Sequence, residues 1–229
     1  MQTLQPRFLR VPLSDAQLAA DLLLPAAAQG LVVFVHGSGS SRLSPRNQQV
    51  ARYFSERGLA TLLFDLLTEP EQRIDEVSRE LRFDIPLLGR RILGVIDWLA
   101  RDTELAHLRL GLFGASTGAA AALIAAAQRP QAIQAVVSRG GRTDLAEQAL
   151  GRVAAPTLQI VGGEDPVVLR LNRETSRQLH CPQQLQVIAG ASHLFEEPGA
   201  MDAVARLAGD WFERYLGVPR SAAKGPAAP

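Results

Sequence analysis

The stretch Leu110-Gly111-Leu112-Phe113-Gly114-Ala115-Ser116-Thr117-Gly118 sets the architecture of the chain. It begins as a short uncharged apolar run, the pattern of a fully buried strand, and passes into the alanine-rich segment Thr117 to Gln128, which reads as a helix. Between them Ser116 sits in a G-x-S-x-G turn. Pushing Ser116 outward on so sharp a bend brings neighbouring backbones together, and glycines on either side relieve the crowding. The uncharged length from Leu110 to Ala127 is just enough to raise the question of a membrane span. The glycine break and the hydroxyls of Ser116 and Thr117 answer it in favour of strand, turn and helix.

Working outward, the same alternation repeats. Phe8 to Leu13 and Leu18 to Leu24 flank a Ser14-Asp15 turn as an antiparallel hairpin. Strands are predicted at Leu31 to Val35, Ala60 to Leu66, Arg109 to Ala115, Ala132 to Val137, Pro156 to Val161 and Gln184 to Ala189. Helices are predicted at Ser44 to Arg57, Pro86 to Ala100, Thr117 to Gln128, Val168 to Leu179 and Pro198 to Tyr215. This order predicts an α/β fold: a mostly parallel sheet behind an N-terminal antiparallel hairpin, with helices on both faces. Thr68 to Asp84 reads as a charged connection. A single domain over residues 1–217 is expected, with 218–229, rich in Pro and Ala, as a flexible tail.

Ligands of such sheets gather at the carboxyl ends of the strands, and four strand ends carry chemistry. One is the Ser116 turn. Strand Thr157 to Val161 runs into Gly162-Gly163-Glu164-Asp165, strand Gln184 to Ala189 into Gly190-Ala191-Ser192-His193, and the strand ending at Val35 into His36-Gly37-Ser38-Gly39-Ser40. A serine hydroxyl needs a base and an orienting acid to act as a nucleophile, and His193 and Asp165 supply those types. Each residue also has a plainer reading. His193 would serve as a hydrogen-bonded structural histidine, Asp165 before Pro166 as a helix cap, and Glu164 or Asp144 as the acid instead.

Composition narrows the chemistry further. Of the 24 basic residues 23 are arginine, the single lysine being Lys224 in the tail, and Cys181 is the only cysteine. A Schiff-base lysine, a P-loop lysine, an internal disulfide and a cysteine-based metal site are therefore excluded, and no His or carboxylate spacing suggests a metal. No cofactor is expected. With a net charge of +1 and 21% charged residues, neither nucleic acid nor a membrane is an expected partner. Met1 to Pro12 lacks the apolar core of a signal peptide, so a cytoplasmic location is expected. A dinucleotide fold would need G-x-G-x-x-G, whereas the glycines of Gly111 to Gly118 are spaced G-x-x-G-x-x-x-G.

The motifs HGSGSS, GASTG, VGGED and GASHLFEEPG, in the order Ser116, Asp165, His193, resemble the α/β-hydrolase superfamily, and within it the dienelactone hydrolase-like group. The resemblance implies hydrolysis of a small ester or lactone without a cofactor. Ser116 would be the nucleophile, His193 the base and Asp165 its orienting acid, with the backbone N–H groups of Ser38 and Thr117 as oxyanion donors. Dienelactone hydrolase itself has a cysteine where this chain has Ser116, so its particular lactone is not carried over. An acyltransferase or a non-catalytic binding protein on the same fold is the alternative. Only Ser138 to Ala155 lies where many relatives insert a lid, which predicts an open site, although the 17 residues from Thr68 to Asp84 are long enough to fold over it. His36 is assigned to support of the oxyanion loop or to substrate contact. Arg42, Arg46, Arg139 and Arg142 lie at the same edge as Ser116, and for them two readings stand: ion pairs with Asp65, Asp84, Asp144 or Glu196, or, for Arg139 and Arg142, grip on an anionic substrate.

Overall fold

Eight strands join one sheet in the computed structural model, which describes residues 4–217. They are β1 (Arg7–Pro12), β2 (Gln17–Leu23), β3 (Gly30–Val35), β4 (Ala60–Phe64), β5 (Arg109–Ala115), β6 (Ile133–Arg139), β7 (Thr157–Gly162) and β8 (Gln183–Ile188). Their spatial order is β1-β2-β4-β3-β5-β6-β7-β8. β1 pairs antiparallel with β2 through Val11 and Leu18, β2 pairs antiparallel with β4, and every later pairing is parallel. The hairpin predicted from Ser14-Asp15 is present, and the tail assigned to 218–229 lies outside the described residues.

The helices are α1 (Pro45–Glu56), α2 (Glu69–Ser78), α3 (Ile85–Leu99), α4 (Thr117–Gln128), α5 (Glu147–Leu150), α6 (Pro166–Gln178) and α7 (Ala200–Leu216). The sheet separates two cores. On one side Leu31, Val33, Leu62 and Leu112 pack against α3 and α4; on the other Val32, Phe34, Phe113 and Val137 meet α1 and α7. Strands buried on both faces have no polar side to show, which is why β3 and β4 read as continuous apolar runs. Phe54 of α1 and Phe212 of α7 meet edge to face at 5.6 Å and close the second core.

One expectation changes. Thr68 to Asp84 is not a bare connection: it folds into α2 and a single 3-10 turn at Leu81–Phe83. Thr68 Oγ1 accepts the Glu71 N–H while the Glu71 carboxylate accepts the Thr68 N–H, a reciprocal cap with Pro70 in the first turn. The segment also carries Asp75, buried, whose carboxylate accepts from Arg82 N–H and Nε.

Candidate active site

Ser116 ends β5 with φ 51° and ψ −121°, a conformation that costs a non-glycine residue of order 1–3 kcal/mol. The surrounding backbone enforces it. A Cβ on Gly118 would stand 2.3 Å from the Val35 carbonyl oxygen and 2.4 Å from that of His36, and one on Gly114 would stand 2.5 Å from Ala119 Cα. No side chain fits where these strands and α4 cross. Ser116 N–H donates to the Arg139 carbonyl at 3.1 Å, and the Ser116 carbonyl accepts the Arg142 N–H at 3.0 Å, so the loop after β6 clasps the turn on both sides.

His193 and Asp165 meet: Asp165 Oδ2 lies 2.6 Å from His193 Nδ1. Asp165 Oδ1 also accepts the Val168 N–H, so it is at once the cap of α6 and the partner of the imidazole. Glu164 is exposed, and Asp144 is committed to Arg142 through two hydrogen bonds of 2.9 and 2.8 Å. The contact between the two loops depends on Gly162, where a Cβ would stand 2.3 Å from the Ala191 carbonyl oxygen. Gly140, beside the Ser116 clasp, lies against the imidazole: a Cβ there would be 3.5 Å from His193 Nδ1. Ser116 and His193 are thus placed about one short loop, although no hydrogen bond joins the Ser116 hydroxyl to His193 among the described residues.

The candidate oxyanion donors are arranged unequally. Thr117 opens α4, so its N–H is one of the helix donors without an intrahelical acceptor. The Ser38 N–H donates to Thr117 Oγ1 at 2.9 Å, which ties the loop after β3 to the turn after β5. His36 is buried with both ring nitrogens engaged: Nδ1 lies 2.9 Å from the Gly37 carbonyl and Nε2 accepts the Leu66 N–H at 3.1 Å. Those partners place the proton on Nδ1. Burial holds the His36 pKa below the ordinary histidine value, against the opposing pull of the Gly37 carbonyl and Asp65. His36 therefore braces the loop, with no ring nitrogen left for a ligand.

A cavity of about 570 Å³ lies beside this loop, lined by Ser38, Ser40, Ser44, Gln72, Asp75 and Arg82 among others. Gln72, Asp75, Glu76 and Arg82, from α2 and its 3-10 turn, wall this cavity, whose lining reaches the loop after β3 but includes neither Ser116 nor His193. The Thr68…Glu71 capping spacing was the signal in the sequence for this wall. Phe195 gave none: it is 1% exposed at φ 56°, and its ring anchors the His193 loop in the core between α1 and α7.

The arginines divide. Arg42 pairs with Asp65 at 2.7 Å and Asp21 at 3.2 Å, Arg46 with Glu196 at 2.9 Å, and Arg142 with Asp144. Arg139 pairs with no carboxylate among the described residues; its Nη1 lies 3.6 Å from Met201 Sδ. Burial and the charge of Arg46 pull its pKa down to about 10.

Comparison with known proteins bears on the fold and the family. The crystal structure of a dienelactone hydrolase from Anabaena variabilis is 53% identical, covers 94% of this chain and all of its own, and superposes with a TM-score of 0.93. Est1E from Butyrivibrio proteoclasticus, at 15% identity, covers 90% of this chain and 98% of its own with a TM-score of 0.77, a likeness of fold alone. A Mycobacterium tuberculosis protein whose name assigns it provisionally to the phosphoribosyl transferases is 53% identical over 199 residues, which are 87% of this chain. The chain spans only 44% of the length of that relative. The sheet order and these neighbours show an α/β-hydrolase fold, and the family model for dienelactone hydrolases matches residues 18–218. The chain belongs to the dienelactone hydrolase family.

Proposed function

We propose that the chain is a serine hydrolase that cleaves a small carboxylic ester or lactone through an acyl-enzyme. The observation that carries this reading is the 2.6 Å contact of Asp165 with His193 Nδ1, made beside a serine held outward on a strained turn. Asp165 fixes the imidazole with its proton on Nδ1 and leaves Nε2 to take the proton of Ser116 as its oxygen attacks the carbonyl carbon. The carbonyl π electrons move onto oxygen. Collapse of the tetrahedral intermediate expels the alkoxide, which takes the proton back from His193, and water repeats the sequence on the acyl-enzyme.

The negative oxygen would be met by the free N–H of Thr117 and by that of Ser38, the latter released when the Thr117 hydroxyl turns away. The cavity beside the oxyanion loop would hold part of the substrate, and its serines, Gln72 and Arg82 favour a polar group over a long acyl chain. A fluorophosphonate probe tests the reading: it should label the parent at Ser116 and leave Ser116→Ala unlabelled. Unlabelled parent protein would refute it and favour a binding protein on the same fold.

A further inference from the structure

Helix α6 is seated on the sheet mainly by polar contacts. Its buried positions are Val168, Asn172 and Thr175, of which only the first is apolar. Apolar packing is non-directional and lets a helix slide, whereas hydrogen bonds fix its register. Thr175 Oγ1 donates to Thr143 Oγ1 at 2.7 Å, and Gln159 of β7 donates to Ser176 Oγ at 2.7 Å. Asn172, 0% exposed, donates through Nδ2 to the carbonyls of Gly141 and Val168, both at 2.8 Å. Its Oδ1 finds no donor among the described residues, so only the donor end of this amide is used.

The places of the two acceptors give Asn172 its interest. Gly141 belongs to the loop after β6 that clasps Ser116: the Arg139 carbonyl accepts the Ser116 N–H, the Gly140 N–H donates to the Ile160 carbonyl at 2.8 Å, and the Arg142 N–H donates to the Ser116 carbonyl. Gly141 has no room to shift, since a Cβ there would stand 2.0 Å from Ser138 Oγ and 2.8 Å from Ala119 Cβ. Val168 is the residue whose N–H Asp165 Oδ1 accepts, so the second acceptor lies in the turn that Asp165 caps. One buried amide therefore bridges the clasp of Ser116 and the turn that carries Asp165 and, through it, His193.

We infer that Asn172 is a positioning residue, which sets the spacing between Ser116 and the Asp165–His193 pair by pinning the clasp to α6. This rests on the serine-hydrolase reading. Asn172 touches no reacting atom. Without the pin Ser116 and the pair each keep their own contacts, but the two halves of the site no longer hold a common register. A nucleophile and its base must meet at hydrogen-bond distance, and a misplacement of about 1 Å caused by a remote change costs about 10²-fold in rate.

The test uses the whole chain, p-nitrophenyl acetate and three variants. Asn172→Leu has the same branched shape and no donor. Asn172→Thr keeps a hydroxyl that can donate to the Val168 carbonyl, as helical threonines do four residues back, and is too short to span to Gly141. Ser176→Ala loosens α6 at another point by removing the partner of Gln159. Both Asn172 variants should lose about tenfold to 100-fold in kcat with KM within about threefold of the parent, and a fluorophosphonate should label Ser116 correspondingly more slowly. Ser176→Ala should keep kcat within about twofold of the parent even where it melts as low as they do. If Asn172→Leu does not fold, Asn172→Thr decides. Parent-like kcat in the folded Asn172 variants, or an equal loss in Ser176→Ala, would overturn the inference, because Asn172 would then only seat the helix.

Hydrogen exchange reads the pin without catalysis. Peptides spanning 113–119 and 138–143 should exchange about tenfold faster in the Asn172 variants and at the parent's rate in Ser176→Ala. If the parent resists the fluorophosphonate and cleaves no ester, the hydrolase reading has failed by itself, and this measurement decides whether Asn172 holds the clasp. Faster exchange confined to the Asn172 variants upholds the pin, and unchanged exchange in them removes it.

Discussion

The turn after β5 and the loop after β8 hold Ser116 and His193, the two side chains proposed to react, by different means. β5 is central and buried, and its Ser116 turn is gripped by backbone atoms of β3, α4 and the loop after β6. β8 is an edge strand, half-exposed, and the His193 loop beyond it is secured by the Phe195 ring and the Asp165 carboxylate. Backbone packing permits one arrangement; side-chain anchors permit adjustment. Ser116 is therefore the fixed point of the candidate site, and His193 is the group proposed to tighten onto it. Stability and turnover should separate cleanly at the first region and fall together at the second.

The largest effects probe the fixed point. Gly118→Ala should yield little folded protein, since its Cβ would overlap two carbonyl oxygens, while Ser116→Ala should fold normally and lose about 10³-fold or more in turnover. Circular dichroism melts of both variants check this. A Gly118→Ala protein melting like the parent would mean that the turn yields more than the contacts indicate.

The next tests act on the histidine. His193→Ala should match the loss of Ser116→Ala. Asp165→Asn should lower turnover less, by about 10²-fold to 10⁴-fold, with the α6 cap kept because the amide oxygen still accepts from Val168. Asp165→Ala should add about 1 kcal/mol of destabilisation by losing that cap. Phe195→Ala should cost about 3 kcal/mol, the usual price of emptying an aromatic site in a core, and lower kcat in the same variant. Urea melts paired with steady-state kinetics measure both. Full activity in Phe195→Ala would show that Asp165 alone positions the loop.

The contrast also explains what could be read without coordinates. The Ser116 turn was legible because its constraint is written in residue types: an apolar run, two glycines and an alanine-rich helix. Asp165 and His193 were legible by position at strand ends, and the structure adds that the Asp165 carboxylate both caps α6 and contacts His193 Nδ1. Phe195 was not, because a buried aromatic in a loop looks like any other apolar residue until the core it enters is known. The helix at Glu69–Ser78 was obscured because Ile74 and Val77 are its only large apolar residues besides Pro70, too few to mark an amphipathic stripe, although the Thr68 and Glu71 cap was present. The state of Arg139 was beyond the sequence altogether. Whether a charge is paired depends on side chains from β6, α1 and α7 meeting in space.

The smallest predicted effect concerns the brace behind the oxyanion loop, which belongs with the fixed region. His36 is neutral in the fold because burial lowers its pKa and because Nε2 must stay bare to accept the Leu66 N–H. In the unfolded chain it titrates near the ordinary value of about 6.5. Below that value the unfolded state binds a proton that the folded state refuses, so stability falls as the pH drops towards the lowered folded pKa. Above it both states are neutral and the dependence vanishes. One such group contributes a slope of at most about 1.4 kcal/mol per pH unit. His36→Gln, whose amide can still accept from Leu66 and donate to Gly37, should lose this share of the acid sensitivity. Urea unfolding of the parent and the variant at several pH values from 7 down to about 5 isolates it, because the carboxylates common to both cancel in the difference. Identical slopes in the two proteins would mean that His36 takes up its proton without disturbing the loop, and the brace would then not belong to the rigid half of the site.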